Sequence, residues 1–299
     1  MTYHNPVLLE EAVRGLAIRP GGIYVDVTFG GGGHSSAILK ELSGGRLIAF
    51  DQDSDALVNA PGDTRFVLVR DNFRHLSERL VELHTVPVDG ILADLGVSSH
   101  QFDTAARGFS IRFEAELDMR MDRRQRLTAS DVVNYYPEEE LARVFRDYGE
   151  LHQSRRMAAA VVRERATEFI NTSTRLMEVI RGFVPRKDEQ SFYARLFQAL
   201  RIEVNDELSA LRELLEQSAA VLRSGGRLVV ISYHSLEDRL VKNFINAGNF
   251  SGERAKDVFG NPLGLLFRPL TRKPVEAGAE EQAANPRSRS AKMRIAERI

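Results

Sequence analysis

Along the first hundred residues, short runs of β-branched and other apolar side chains alternate with stretches in which apolar positions recur every three or four residues. Residues 23–29 (IYVDVTF) predict a buried strand that runs directly into glycines. Residues 46–51, 65–69 and 88–95 (VDGILADL) predict three more. Strands of this kind, separated by helices, are the pattern of a doubly wound parallel sheet.

The pattern then changes. Residues 103–207 offer no convincing strand. Residues 137–148 (PEEELARVFRDY) place proline at the first turn, acids just behind it, and Leu141, Val144, Phe145 and Tyr148 on one helical face. Residues 152–170 predict another helix, and Thr172 or Ser173 the N-cap of a third. One long helix is expected to carry Phe197, Leu200, Val204, Leu208, Leu211 and Leu215. Strand character returns at 226–233 (GRLVVISY) and again at 291–296, while 248–286 reads as loops. The expectation is an α/β domain formed by 1–103 and 208–299, interrupted by an inserted all-helical domain over 104–207. No internal repeat is present.

Composition narrows the function. The 299 residues suffice for a real core, and 43% hydrophobic with 28% charged residues fits a soluble globular chain. The formal net charge is -1, so nucleic acid would have to be met by a local basic patch. There is no cysteine, which excludes disulfides, thiolate metal sites and a cysteine nucleophile. No apolar run approaches the roughly 18 residues that span a bilayer. Residues 1–11 show no basic start followed by an apolar core, so a cytoplasmic protein with no membrane partner is expected.

The glycine-rich turn reads DVTFGGGGHS at 26–35. Glycines after a strand let the backbone approach a ligand at a helix N-terminus. A phosphate-binding P-loop requires Gly-Lys-Ser/Thr, and Gly33-His34-Ser35 stands there instead. A dinucleotide fingerprint requires a third glycine, and Ser35 or Ser36 occupies that place. The remaining nucleotide reading is the loop of S-adenosylmethionine enzymes. In it Asp26 helps hold the cationic methionine part, and the glycines pass under the adenosyl group. Asp51 at the end of the second strand can accept both ribose hydroxyls, for a nicotinamide dinucleotide as well as for S-adenosylmethionine. Phe73, just past the third strand, can flank adenine, and Asp94 ends the fourth strand. Each has a plainer reading: a tight turn, a helix cap, a core aromatic. Their joint placement at successive strand ends favours the cofactor.

Without cysteine, methylation at carbon 5 of a pyrimidine by covalent addition is excluded, and oxygen or nitrogen acceptors remain. An exocyclic amine has a delocalised lone pair, so an enzyme must accept its N–H groups and aim the nitrogen. Asp94, Ser98 and Ser99 in DLGVSS supply a carboxylate and hydroxyls for this. His234, in SYHS at 232–235, is a candidate proton acceptor; its plainer reading makes Ser235 a helix N-cap with Asp238 three residues on. Arg107, Arg112, Arg120, Arg123, Arg124 and Arg126, interleaved with Phe109, Phe113 and Met119, are the best candidate for a phosphate-contacting patch. The alternative is a solvated surface paired with Glu114, Glu116, Asp118 and Asp122.

Taken together the chain resembles the MraW family of bacterial ribosomal RNA small-subunit methyltransferases. The resemblance rests on HNPVLLEEAV at 4–13, DVTFGGGGHS at 26–35, ILADLGVSSHQFD at 91–103, RGFS at 107–110 and LDMRMD at 117–122. It continues through FQALRIEVNDEL at 197–208, GGRLVVISYHSLEDRLVK at 225–242 and NPRSRSAKMRIAER at 285–298. It implies a Rossmann-like methyltransferase fold with a helical insertion that recognises RNA, S-adenosylmethionine as donor, and methylation of a cytosine N4 in the decoding region of 16S rRNA. The partner would be 16S rRNA within the small ribosomal subunit, the protein a monomer or homodimer. Cofactor contacts carry over to Gly32, Gly33, His34, Asp51, Phe73, Asp94 and Gln101, with no metal. Two alternatives from other classes are a nicotinamide-dependent oxidoreductase and a non-catalytic RNA-binding assembly factor on the same fold.

Overall fold

A computed structural model describes residues 6–260 and 263–299, so His4 and Asn5 of the N-terminal motif lie outside the described residues. The chain divides into two compact units, one of Met1–Gly96 with Leu208–Ile299 and one of Val97–Glu207.

The first unit begins with α1 (Leu9–Leu16), β1 (Ile23–Asp26), α2 (Gly33–Glu41), β2 (Arg46–Phe50), β3 (Phe66–Val69), α3 (Leu76–Glu82) and β4 (Val88–Asp94). The second holds α4 (Ser99–Asp103), α5 (Ala129–Tyr135), α6 (Glu138–Asp147), α7 (Ser154–Arg165), α8 (Ser173–Ile180) and α9 (Glu189–Asn205). The chain then continues through α10 (Glu207–Val221), β5 (Leu222–Ser232), α11 (Ser235–Ala247), β6 (Phe267–Pro269), α12 (Ala279–Ala284) and β7 (Lys292–Arg298).

The strands of the first unit form one sheet in the order β3-β2-β1-β4-β5-β7-β6. β3 to β5 run parallel, and β7 runs antiparallel to both its neighbours. Alternation along each strand sorts its side chains to opposite faces. Val25, Ile48, Ile91 and Val230 pack under α3, α10 and α11, while Tyr24, Leu47, Leu92 and Val229 pack under α1 and α2. Burial on both faces explains why these strands read as continuous apolar runs.

In the second unit α5 to α9 surround a core containing Val132, Leu141, Phe145, Met157, Leu176 and Leu200. α6 begins after Pro137 with three glutamates in its first turn, where the helix dipole favours negative charge. Thr172 caps α8 through its hydroxyl. The irregular stretch before α5 is not a bare loop: Phe109, Leu117, Met119 and Met121 are buried in this core.

Several boundaries differ from the sequence expectation. β1 stops at Asp26, because Asp26 and Thr28 turn the chain into the glycines. α7 is shorter than 152–170. The expected long helix is broken at Asp206, whose φ of +48 ends α9 although the apolar periodicity continues through it. Residues 248–286 contain the edge strand β6 and the short α12. α1 lies in a stretch where the sequence pattern predicts no element.

Candidate active site

The strand order turns back between β1 and β4, and ligands bind beyond the carboxyl ends of the strands at such a point. Thr28 Oγ1 accepts the Asp94 amide at 2.7 Å, tying the turn after β1 to the end of β4.

Asp26 is 1% exposed. Its Oδ2 accepts the Ser35 hydroxyl at 2.7 Å and its Oδ1 the Thr28 amide at 3.1 Å. It therefore shapes the loop from beneath. The direct contact with a methionine portion expected from sequence is corrected to a supporting role, because burial leaves its carboxylate closed to a ligand. Gly32 has φ +76, and a Cβ there would meet the Phe29 ring at 3.0 Å. A Cβ on Gly33 would run into the Pro6 ring. Positions 32 and 33 can thus be filled only by residues without side chains.

His34 is 5% exposed. Its Nε2 lies 3.1 Å from the Val7 carbonyl, an oxygen that only accepts, so Nε2 carries the hydrogen. Its Nδ1 is 3.7 Å from Asp94 Oδ2. Asp51 Oδ2 accepts the Gly30 amide at 2.7 Å and Oδ1 the Asp53 amide at 2.8 Å. Each oxygen keeps a second lone pair for a hydroxyl. Burial pushes the Asp51 carboxyl up to about 6, against the two amide bonds that favour its charged form and with help from the charges of Asp53 and Asp26. Asn72 donates to Gln52 Oε1 at 2.8 Å, fastening the turn after β3, with the half-buried Phe73 beside it, to the turn after β2.

Asp94 is 22% exposed at its side chain. The Tyr233 hydroxyl donates to its Oδ1 at 2.6 Å. Burial raises the Asp94 carboxyl to about 6. His34 and Tyr233 oppose the rise, and Asp26 and Glu237 add to it. Tyr233 is the residue that sequence reasoning passed over. β4 and β5 pair with Asp94 opposite Ile231, so Tyr233, two residues on, falls on the same side of the sheet end. That register was the available signal.

His234 is the N-cap of α11, with Glu237 rather than Asp238 completing the capping box. Its Nδ1 accepts the Glu237 amide at 3.4 Å and its Nε2 lies 3.2 Å from Glu237 Oε1. The cap expected at Ser235 is thus displaced by one residue, because Asp238 is drawn into a two-point pair with Arg294 of β7.

Ser98, Ser99 and Gln101 belong to the other unit. Ser98 caps α4 and forms a reciprocal capping box with the buried Gln101, and Ser99 opens the helix. The basic segment there separates into three kinds of arginine. Arg107 is 1% exposed and donates to the Arg120 and Met121 carbonyls at 2.9 and 3.1 Å, so its assignment as an RNA contact is corrected to an internal brace. Arg120 and Arg124 form two-point pairs with Asp118 and Asp122. Arg112, Arg123 and Arg126 are exposed.

The strand order with an antiparallel β7, a glycine turn after β1 and carboxylates at the ends of β2 and β4 make this a Rossmann-like fold of the S-adenosylmethionine-dependent methyltransferase class. The model of the MraW methylase family matches residues 1–299, and the chain belongs to that family. It is 56% identical over 299 residues to a ribosomal RNA small subunit methyltransferase H of Parabacteroides distasonis, covering 99% of this chain and 98% of that one. It is 54% identical over 299 residues to the protein of that name in Amoebophilus asiaticus, covering 99% and 96%. Membership of a methylase family sets aside the oxidoreductase alternative.

Proposed function

We propose that this chain transfers a methyl group from S-adenosylmethionine to the exocyclic N4 of a cytosine in the decoding region of 16S rRNA. The observation that carries the reading is Asp94, a partly exposed carboxylate at the switch point, anchored on one oxygen and tied to the glycine turn. The donor supplies an electrophilic methyl on a sulfonium sulfur. Close packing of Gly32 against the Phe29 ring and of Gly33 against the Pro6 ring fixes the turn whose backbone would pass the nucleoside, and Asp51 offers lone pairs for two ribose hydroxyls. Asp94 accepts one N–H of the amine, which turns the nitrogen lone pair toward the methyl carbon. As the N–C bond forms and the S–C bond breaks, Asp94 takes the proton the nitrogen must lose. The helical unit, with exposed Arg112 and Arg123, supports recognition of RNA phosphates, and the cytoplasm is where that substrate is met.

The test is transfer of labelled methyl to small subunits from a strain lacking this gene, followed by digestion to nucleosides. Label on cytosine N4 is the expected result; label on a base carbon, or none in small-subunit rRNA, overturns the reading.

Asp51 predicts a pH dependence. Hydroxyl donors need the carboxylate, and burial pushes the group up to about 6. Donor affinity is therefore expected to be full above that pH and to fall as pH drops through it, about tenfold weaker at pH 5 than at pH 7.5. Calorimetry in two buffers of different ionisation heat should also detect proton release on binding near pH 6. Equal affinities at the two pH values would remove Asp51 from the ribose site.

A further inference from the structure

We propose that Tyr233 is a positioning residue that keeps the Asp94 carboxylate aimed and charged, so that the site works below neutral pH. The inference rests on the reading of Asp94 above. Its physical basis is geometric. The phenol oxygen is 2.6 Å from Asp94 Oδ1, the length of a strong hydrogen bond to a charged acceptor. The Tyr233 ring is half-buried against the core beneath α1 and α2, so the hydroxyl is delivered from a fixed side chain. With Oδ1 held, the carboxylate cannot rotate freely, and Oδ2 remains for the incoming amine.

The charges around Asp94 make such a donor necessary. His34 of α2 faces Oδ2 at 3.7 Å and favours the ionised form. Asp26 at the end of β1 and Glu237 of α11 disfavour it, as does burial. Tyr233, at the end of β5, is the group that gives the carboxylate a direct hydrogen bond to its charged form. Asp94 in turn acts on the phenol: burial first, then the carboxylate's charge and its hydrogen bond, hold the Tyr233 hydroxyl well above its ordinary range, so it stays a donor.

The test uses Tyr233→Phe in the full chain, which removes one oxygen and keeps the ring. With carboxyl-labelled aspartate, the Asp94 carbon resonance of the ligand-free protein is expected to titrate about one pH unit higher than in the parent, a tenfold gain in proton affinity. Donor affinity by calorimetry at pH 8 should stay within twofold. The methyl-transfer rate should be within about threefold of the parent at pH 8.5, lose about a further fivefold at pH 6 as the ionised fraction falls, and recover with pH. In the reciprocal variant Asp94→Asn, the Tyr233 phenol should titrate closer to its ordinary value. An unmoved Asp94 midpoint in a cooperatively folded Tyr233→Phe protein overturns the proposal. So does a rate reduced by the same factor at both pH values. If the parent itself labels no cytosine N4 while the Asp94 midpoint still shifts, the failure belongs to the activity reading and the pairing stands.

Discussion

Asp94→Asn is expected to lower methyl transfer about a hundredfold to ten-thousandfold while raising the melting temperature at pH 7.5 by a few degrees. The two effects have one cause. The folded protein holds this carboxyl at about 6 instead of its ordinary 3.8, chiefly by burial. The sign follows from the direction of the shift. A raised carboxyl favours the folded state when protonated, so the ionised group weakens the fold above about pH 6, and stability returns as pH falls toward 4. At pH 7.5 the disadvantage is at most about 3 kcal/mol. Asparagine has the same shape, keeps an oxygen for the Tyr233 hydroxyl and carries no charge, so the penalty disappears with the function. Below about pH 4 parent and variant should melt alike. A variant that melts lower at pH 7.5 would mean that Asp94 serves the fold. A gene carrying Asp94→Ala that fully restores a deletion strain would favour a non-catalytic assembly role.

The positions of the strands were legible because burial on both faces leaves a strong local mark, as in Ile91-Leu92 and Val229-Val230. The acidic strand ends were legible for the same reason: Asp51 and Asp94 each interrupt an apolar run where the chain leaves the sheet. What local reading could not supply were choices made by distant partners. The α11 cap moves from Ser235 to His234 because Arg294, 56 residues away, claims Asp238. The break between α9 and α10 is hidden because Val204 and Leu208 keep the helical period across Asp206. Tyr233, next to a strand end, has no role in local reading until the register of β4 against β5 puts it two residues beyond the partner of Asp94, on the same side of the sheet end. Arginine was the hardest case, since its charge says surface whatever its neighbours require.

Arg107→Ala is the decisive substitution for that segment, and it is expected to destabilise the helical unit by about 3 kcal/mol. Arg107 is the largest fully buried side chain among the described residues. It binds the Arg120 and Met121 carbonyls and lies with its guanidinium carbon 5.8 Å from the centre of the Phe109 ring. Asn205 completes the clamp from α9, donating to the Met119 carbonyl at 2.8 Å and accepting the Met121 amide at 2.7 Å. These two side chains thus hold the LDMRMD segment against its core, which explains why so polar a motif is buried at Leu117, Met119 and Met121. Truncation opens a cavity and removes the guanidinium bonds to the Arg120 and Met121 carbonyls. Lysine should recover only part of the loss, because a single ammonium does not reproduce the planar fork. Thermal melting followed by circular dichroism should show the drop, and native-state hydrogen exchange should place it at Met119 and Met121. Arg112→Ala and Arg123→Ala, at exposed positions, should leave melting within about 0.5 kcal/mol of the parent and weaken RNA binding with a reduced salt dependence. If Arg107→Ala instead melts like the parent and loses only RNA affinity, Arg107 is a contact residue after all and the clamp has been misread.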